Sequence, residues 1–141
     1  MPDTSKKTIS GAICEVLGIL DARQKATAMC HLVAAWKDTT LGLGNQPPPD
    51  RPSRPDRPLL RPPRKVPRRR VTQSAPGRIA LLHAIAHIGL NAVDLALDMA
   101  SRVIKTQIPV DFCHNWLGVA NDQAQHFLML SDRLADLGAA Y

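Results

Sequence analysis

The chain has 141 residues, of which 45% are hydrophobic and only 4% aromatic, and it carries a formal net charge of +6. This length suits one domain with a modest core, and the scarcity of aromatic residues favours helices packed through alanine and leucine over a β-sandwich. The charge is local, because residues 51 to 70 hold nine Lys or Arg residues against one acidic residue and the rest of the chain carries a net −2. The basic character therefore belongs to one segment and not to the whole fold.

Three cysteines, Cys14, Cys30 and Cys113, are odd in number and far apart, and no two form a C-x-x-C pair. This pattern is typical of small buried reduced thiols and argues against a disulfide framework or a zinc site. No run reaches the ~18 apolar residues of a membrane span, and the start "MPDTSKK" does not lead into a secretory signal. We therefore expect a cytoplasmic protein without a membrane partner.

Residues 1–46 predict a small helical hairpin. A first helix is expected in "TISGAICEVLGIL", and Asp21 is placed to cap a second helix through "ARQKATAMCHLVAAWKD". His31 is interpreted as a partly exposed helix residue. The apolar positions at helical spacing are Ile9, Ile13, Val16, Leu17 and Leu20 in the first helix, and Ala26, Met29, Val33 and Trp36 in the second.

Residues 47–76 form a different segment, which we call the Pro/Arg belt. Nine prolines between Pro47 and Pro67 exclude helix and central strand and predict extended, polyproline-like backbone. The segment is either a free linker or a strap along the helices, with guanidinium groups paired to surface carboxylates. Leu59, Leu60 and Val66 are its expected apolar anchors, and they favour at least partial docking.

Residues 77–141 predict two long antiparallel helices joined by a short connection, and no strand. Pro76 and Gly77 open the first helix, which runs to about Ile104, and Pro109 opens the second, which Gly138 ends. The fold class is therefore all-α. The apolar stripes are Ile79, Leu82, Ala86, Leu90, Val93 and Leu97 on the first helix, and Phe112, Trp116, Val119, Phe127, Leu130 and Leu134 on the second.

Polar residues on the two long helices have the spacing of metal ligands. His83 and His87 are separated by four residues, as are Asp122 and His126, so each pair shares one helical face. Two ligands do not make a site, and hydrogen bonding within the bundle is the simpler interpretation. A carboxylate three residues before His126 would complete an iron or manganese motif, but Gln123 stands there. No phosphate-binding loop or nucleophile elbow is present, so no catalytic or cofactor-binding residue is predicted.

The runs "HAIAHIGL" and "HNWLGVANDQAQHF", with the Arg-rich segment before them, resemble a bacterial ferritin-like family of unknown function. That family typically reads HAIAHIE and EEAxHF around a DW element. The resemblance implies a four-helix bundle with two metals, held by one Glu from each of two helices and a Glu-x-x-His from each of the others. It places Gly89 and Gln123 at two ligand positions and His126 at a third, so two of three ligands in this half are missing.

Members of that family continue beyond the position of Tyr141 into two more bundle helices, so the resemblance implies that this chain is half of a ferritin-like bundle. An uncovered apolar face then predicts a homodimer or another helical partner. The preferred function is a degenerate or truncated ferritin-like protein with a structural or interaction role and without di-metal catalysis. No cofactor is expected, and iron or manganese are the metals to consider if one binds.

Two alternatives stay open. The Pro/Arg belt would bind nucleic acid or another acidic partner, although the absence of interleaved aromatic residues disfavours nucleic acid. Alternatively, a metal-dependent oxidoreductase-like activity would use the residual metal candidates Asp122 and His126 with His83 or His87, which would rebuild a site across a dimer.

Overall fold

The computed structural model describes residues 7–38, 41–68, 73–104 and 108–141. Four α-helices follow one another: α1 (Ile9–Leu17), α2 (Ala22–Asp38), α3 (Ala75–Val103) and α4 (Val110–Asp136). A 3₁₀ turn, Pro63–Lys65, lies in the Pro/Arg belt. Within the described ranges there is no strand, only an isolated parallel bridge between Thr8 and Gly42. The predicted all-helical class is confirmed.

Local sequence signals set the helix ends. The Thr8 side chain accepts a hydrogen bond from the Gly11 amide at 3.1 Å at the start of α1, and the Asp21 carboxylate accepts one from the Gln24 amide at 2.8 Å at the start of α2. The predicted Asp21 cap is thus confirmed. Gly138 has φ of +75°, a left-handed conformation that glycine adopts without strain, and it terminates α4 as expected.

The core is the contact of α3 with α4, supplemented by α2 against α4 and by α1 against α2 and α3. Small residues permit the close approach of the two long helices: Ala86, Ala96 and Ala100 on α3 and Ala120 and Ala124 on α4 are buried. Gly89 faces Gln123, while the N-terminal half of α3 lies near Tyr141. Since later α4 residues meet earlier α3 residues, the pair is antiparallel, as predicted.

Several predicted core positions are wrong. Leu20 lies beyond the end of α1 and is 63% exposed, and Phe112 and Val119 of α4 are exposed as well. Sequence periodicity identifies apolar stripes on a helix. Where a helix has two of them, only the stripe that packs against another helix is buried. All three cysteines are free, but only Cys113 is buried as predicted, whereas Cys14 and Cys30 are half-buried. Burial raises the pKa of each thiol, so none is activated.

Helix α3 is the one helix in the described ranges that is long and apolar enough to cross a membrane. Its most apolar 18-residue window has a mean hydropathy of 1.6, with 33% of that window buried inside the fold. Length and composition alone therefore correct the expectation that no segment qualifies. Core helices of globular proteins pass the same criterion, and α3 packs along α4.

Candidate functional site

The two positions at which the sequence analysis expected missing metal ligands face each other across the α3–α4 contact. A Cβ atom built on Gly89 would lie 3.7 Å from the Gln123 carbonyl oxygen and 3.9 Å from the Gln123 Oε1. Gly89 is buried and supplies no donor, and Gln123 supplies only a neutral amide. This donor set does not fit a divalent cation, because it lacks the charge that offsets desolvation of the ion.

The four residual metal candidates lie on different surfaces. His126 and Asp122 are exposed on α4, whereas His83 and His87 are half-buried on the side of α3 that faces the belt. Over residues 7–38, 41–68, 73–104 and 108–141, no three His, Cys, Asp or Glu side chains converge as a metal site would require. Metal binding by these residues, within one chain or across two, stays a prediction.

His83 and His87 instead surround Tyr141. The His87 Nδ1 and the Tyr141 hydroxyl are 2.8 Å apart, and the His83 ring stacks on the tyrosine ring with centroids 5.1 Å apart. Phe127 meets the same ring edge-on at 5.0 Å. Burial lowers the pKa of His87, and the positive charge of Arg54 and His83 lowers it further, so the imidazole is mainly neutral at pH 7. Burial raises the pKa of Tyr141.

A buried charge cluster, formed by Lys25, Asp94 and Arg54, lies on the same side of α3. The Lys25 ammonium donates to Asp94 Oδ1 at 2.8 Å and to the Ser53 carbonyl at 2.6 Å, and the two charged residues are only 1% and 5% exposed. Asp94 Oδ2 is 3.6 Å from the Arg54 guanidinium but accepts no hydrogen bond. Desolvation raises the pKa of Asp94, while hydrogen bonding and charge from Lys25, and charge from Arg54, oppose the rise.

This cluster attaches the Pro/Arg belt to the helices. Arg54 also donates to the Asn91 side chain, the Ser53 amide donates to the Leu17 carbonyl at 2.8 Å, and the Cys14 thiol donates to the Pro47 carbonyl at 3.3 Å. The docked interpretation of the belt is therefore confirmed over its first part. Its expected apolar anchors, Leu59, Leu60 and Val66, are exposed, so polar contacts of the backbone and of Arg54 hold the belt instead.

Four residues of these contacts were not predicted from the sequence: Lys25, Asp94, Asn91 and Tyr141. A usable signal existed for two of them. Lys25 falls on the buried stripe between Ala22 and Met29, and Asp94 lies beside Val93 on the buried side of α3. A charged residue at a core position needs a partner, so two such residues of opposite sign predict a buried pair. Nothing in the sequence indicated that the chain would turn back after Gly138 and bring Tyr141 to the histidines.

Comparison with known proteins identifies one family. Residues 19–141 match the profile described as "Protein of unknown function (DUF455)". An uncharacterized protein of Haemophilus influenzae is 38% identical over 92 residues, which cover 62% of this chain and 32% of that protein. The chain thus spans about a third of the length of this relative. No solved structure matches the chain.

Proposed function

This chain belongs to the DUF455 family of proteins of unknown function, and from that premise we propose that it is a ferritin-like helical module that binds other helices and lacks di-metal catalysis. The observation that carries the proposal is an exposed apolar surface on the long helices, which we call the outer face. Its residues, all exposed, are Leu81, Ile85, Ile88 and Leu95 on α3 and Phe112 and Val119 on α4.

Helical geometry places these residues on one surface. The α3 members recur at intervals of three, four and seven residues, and on both helices the stripe lies next to the Gly89–Gln123 contact. The belt and α2 lie on a neighbouring side of α3, where Asn91 and Asp94 receive their polar contacts, and Ile88 borders both surfaces. The outer face is therefore the surface that a second pair of helices would cover in a four-helix bundle.

A second copy of this chain is the proposed occupant. The α3 stripe between Leu81 and Leu95 consists of aliphatic side chains, and His126 and Gln123 border the α4 stripe. Two copies of such an aliphatic surface would face each other without like-charge repulsion, so the surface can pair with itself about a twofold axis.

The absence of di-metal catalysis is proposed from chemistry at the α3–α4 contact. The ferritin-like arrangement needs a carboxylate at position 89 and another at position 123. Here the glycine has no side-chain ligand, and the glutamine that faces it has only a neutral amide. The exposed pair Asp122 and His126 offers a carboxylate and an imidazole one turn apart, which alone bind metal weakly.

Sedimentation equilibrium and metal analysis test the two parts separately. A concentration-dependent dimer supports the outer face as an interface, and a monomer at all concentrations refutes it. Metal analysis after loading with iron or manganese should give a content far below one ion per chain. Near-stoichiometric, tightly bound metal would favour the oxidoreductase-like alternative, with His83, His87, Asp122 and His126 as ligands.

A second candidate function is supported by the belt. Its side chains Arg51, Arg57, Arg61, Arg64, Lys65 and Arg68 are exposed and open to an acidic partner. Binding of a DNA or RNA oligonucleotide would weaken steeply with added salt, because each neutralised phosphate releases counterions. The absence of an aromatic residue from the belt disfavours base stacking, so binding to single strands should show little preference over duplex.

A further inference from the structure

An open groove separates the Pro/Arg belt from the N-terminal half of α3. Its volume of about 350 Å³ lies near the lower end of the ~300–1,000 Å³ typical of ligand pockets. Four of its lining residues are large aliphatic side chains with more than half of their surface exposed: Leu59, Leu60, Val66 and Ile88. Such side chains concentrated in one groove are more than the scattered exposed leucines of an ordinary protein surface.

Three nitrogen-bearing side chains line the same groove. Arg61 extends from the belt, and His83 and His87 lie one turn apart on α3. Tyr141 holds both imidazoles in place through the 2.8 Å contact to His87 and the stack on His83. Among the described residues that line the groove there is no Asp or Glu, so its polar groups favour a negative charge.

We propose that this groove binds a monomeric amphiphilic anion, a short aliphatic chain with a sulfate-, phosphate- or carboxylate-type head group. The chain would lie along the four aliphatic residues, and the head group would accept hydrogen bonds from Arg61 and the histidines. The groove shares Ile88 with the outer face, and its other lining residues come from the belt and the belt side of α3, so the proposal does not rest on the function proposed above.

A dissolved anion fits this groove better than a lipid surface does. The aliphatic side chains converge on a cavity between two chain segments, and a cavity of this volume accepts one short chain. A bilayer would require apolar side chains on a convex surface, with basic residues around them. The experiment distinguishes the two sources.

Calorimetric titration of the full chain with octyl sulfate is the direct test, because this head group stays anionic at every working pH. Octanol shares the chain without the charge, and methyl sulfate shares the charge without the chain. We expect octyl sulfate to bind saturably at one site per chain, and to bind at least about tenfold more tightly than octanol or methyl sulfate. Equal binding of octanol, or no saturable binding of octyl sulfate, would overturn the proposal. Sedimentation with phosphatidylglycerol vesicles in the absence of octyl sulfate binding would also overturn it.

Matched variants locate the site. Leu60→Asp should weaken octyl sulfate binding about tenfold or more, because it places a carboxylate beside the ligand. Leu20→Asp is the control, since Leu20 is 63% exposed against 61% for Leu60 and lies outside the groove. Arg61→Gln should weaken binding, whereas Arg64→Gln, an exposed arginine outside the lining, should not. Circular dichroism confirms folding of each variant, and equal losses in test and control variants would refute the assignment.

Discussion

The two sides of α3 are covered in different ways. The side towards α2 and the Pro/Arg belt carries polar residues, and each of His87, Asn91 and Asp94 has a partner from another segment of the chain. The outer side carries aliphatic residues that contact solvent. On the belt side, hydrogen bonds and ion pairs within the chain fix which residues meet. The outer face has exposed apolar surface, which any apolar partner surface could bury. The chain therefore determines its own arrangement on one side and is open to association on the other.

Breaking the belt side should have the largest effect. Lys25→Met leaves Asp94 buried without its ammonium partner and should reduce the free energy of unfolding by about 3 kcal/mol. The double change Lys25→Met with Asp94→Leu should recover part of that loss, because the unpaired buried carboxylate is gone while Arg54 keeps its contact with Asn91. Lys37→Met on the exposed surface of α2 is the control. Urea unfolding monitored by circular dichroism measures all three, and a harmless single change would show that the pair is dispensable.

On the outer face, Leu95→Asp should abolish association without lowering stability. Leu95 is 62% exposed in the single chain, so the substitution disturbs little there. In a dimer it would bury an unpaired carboxylate, which should weaken association by about a hundredfold. The control is Leu20→Asp. Leu20 is 63% exposed, follows the end of α1 and is not part of the outer face, so this change should leave association unchanged. Sedimentation equilibrium decides, and an unaltered dimer in Leu95→Asp would place the interface elsewhere.

Between the two sides lies the Gly89–Gln123 contact, where a smaller effect is expected. Gly89→Ala should stabilise the protein by about 0.5–1 kcal/mol, because glycine disfavours a helix interior. The added methyl group meets no atom closer than 3.7 Å, so it introduces no clash. Thermal unfolding measures the gain, and destabilisation would show that α3 and α4 approach more closely than described.

Charged donors at the same contact should create metal affinity. Gly89→Glu with Gln123→Glu places two carboxylates near His126, and calorimetry should detect stronger binding of manganese or iron than in the unmodified chain. The gain should be larger under conditions in which the chain is dimeric, because one half supplies only part of a ligand shell. Gly89→Ala is the control for the gain in helix stability on replacing glycine. Tight metal binding by the unmodified chain would contradict the proposal that the metal site has been lost.

The smallest expected effect is a pH dependence from His87. Its pKa is lowered from 6.5 in the fold, so between the two values the unfolded chain binds more protons than the folded one. Stability is therefore full above about pH 6.5 and falls as the pH drops below that value. The groups facing His87 are Arg54 from the belt, His83 from α3 and Tyr141. His87→Gln should remove part of the slope in urea midpoints measured between pH 7.5 and 5.5, and an unchanged slope would contradict this origin.

Sequence reasoning predicted the four helices well because their determinants are local. Asp21 and Gly138 act within a few residues of themselves, and apolar periodicity marks each helix along its length. It could not predict which stripe would be covered, as Val119 shows, because that depends on neighbours far along the chain. The Gly89–Gln123 juxtaposition followed from the resemblance. The Lys25–Asp94 pair could be inferred only by combining two buried-stripe positions 69 residues apart, because neither position identifies its partner locally.

That separation has a consequence for the order of folding. During synthesis α1 and α2 emerge first, and Lys25 then has neither Asp94 nor the Ser53 carbonyl to receive its charge. Before α3 is present, the α1–α2 hairpin must leave the Lys25 ammonium in water, so it cannot bury Lys25 as the complete fold does. The N-terminal helices should therefore reach their native packing only after α3 has formed, and the first 38 residues should have no stable fold of their own. The whole chain is then expected to unfold in one cooperative transition, with slow folding set by distant contacts.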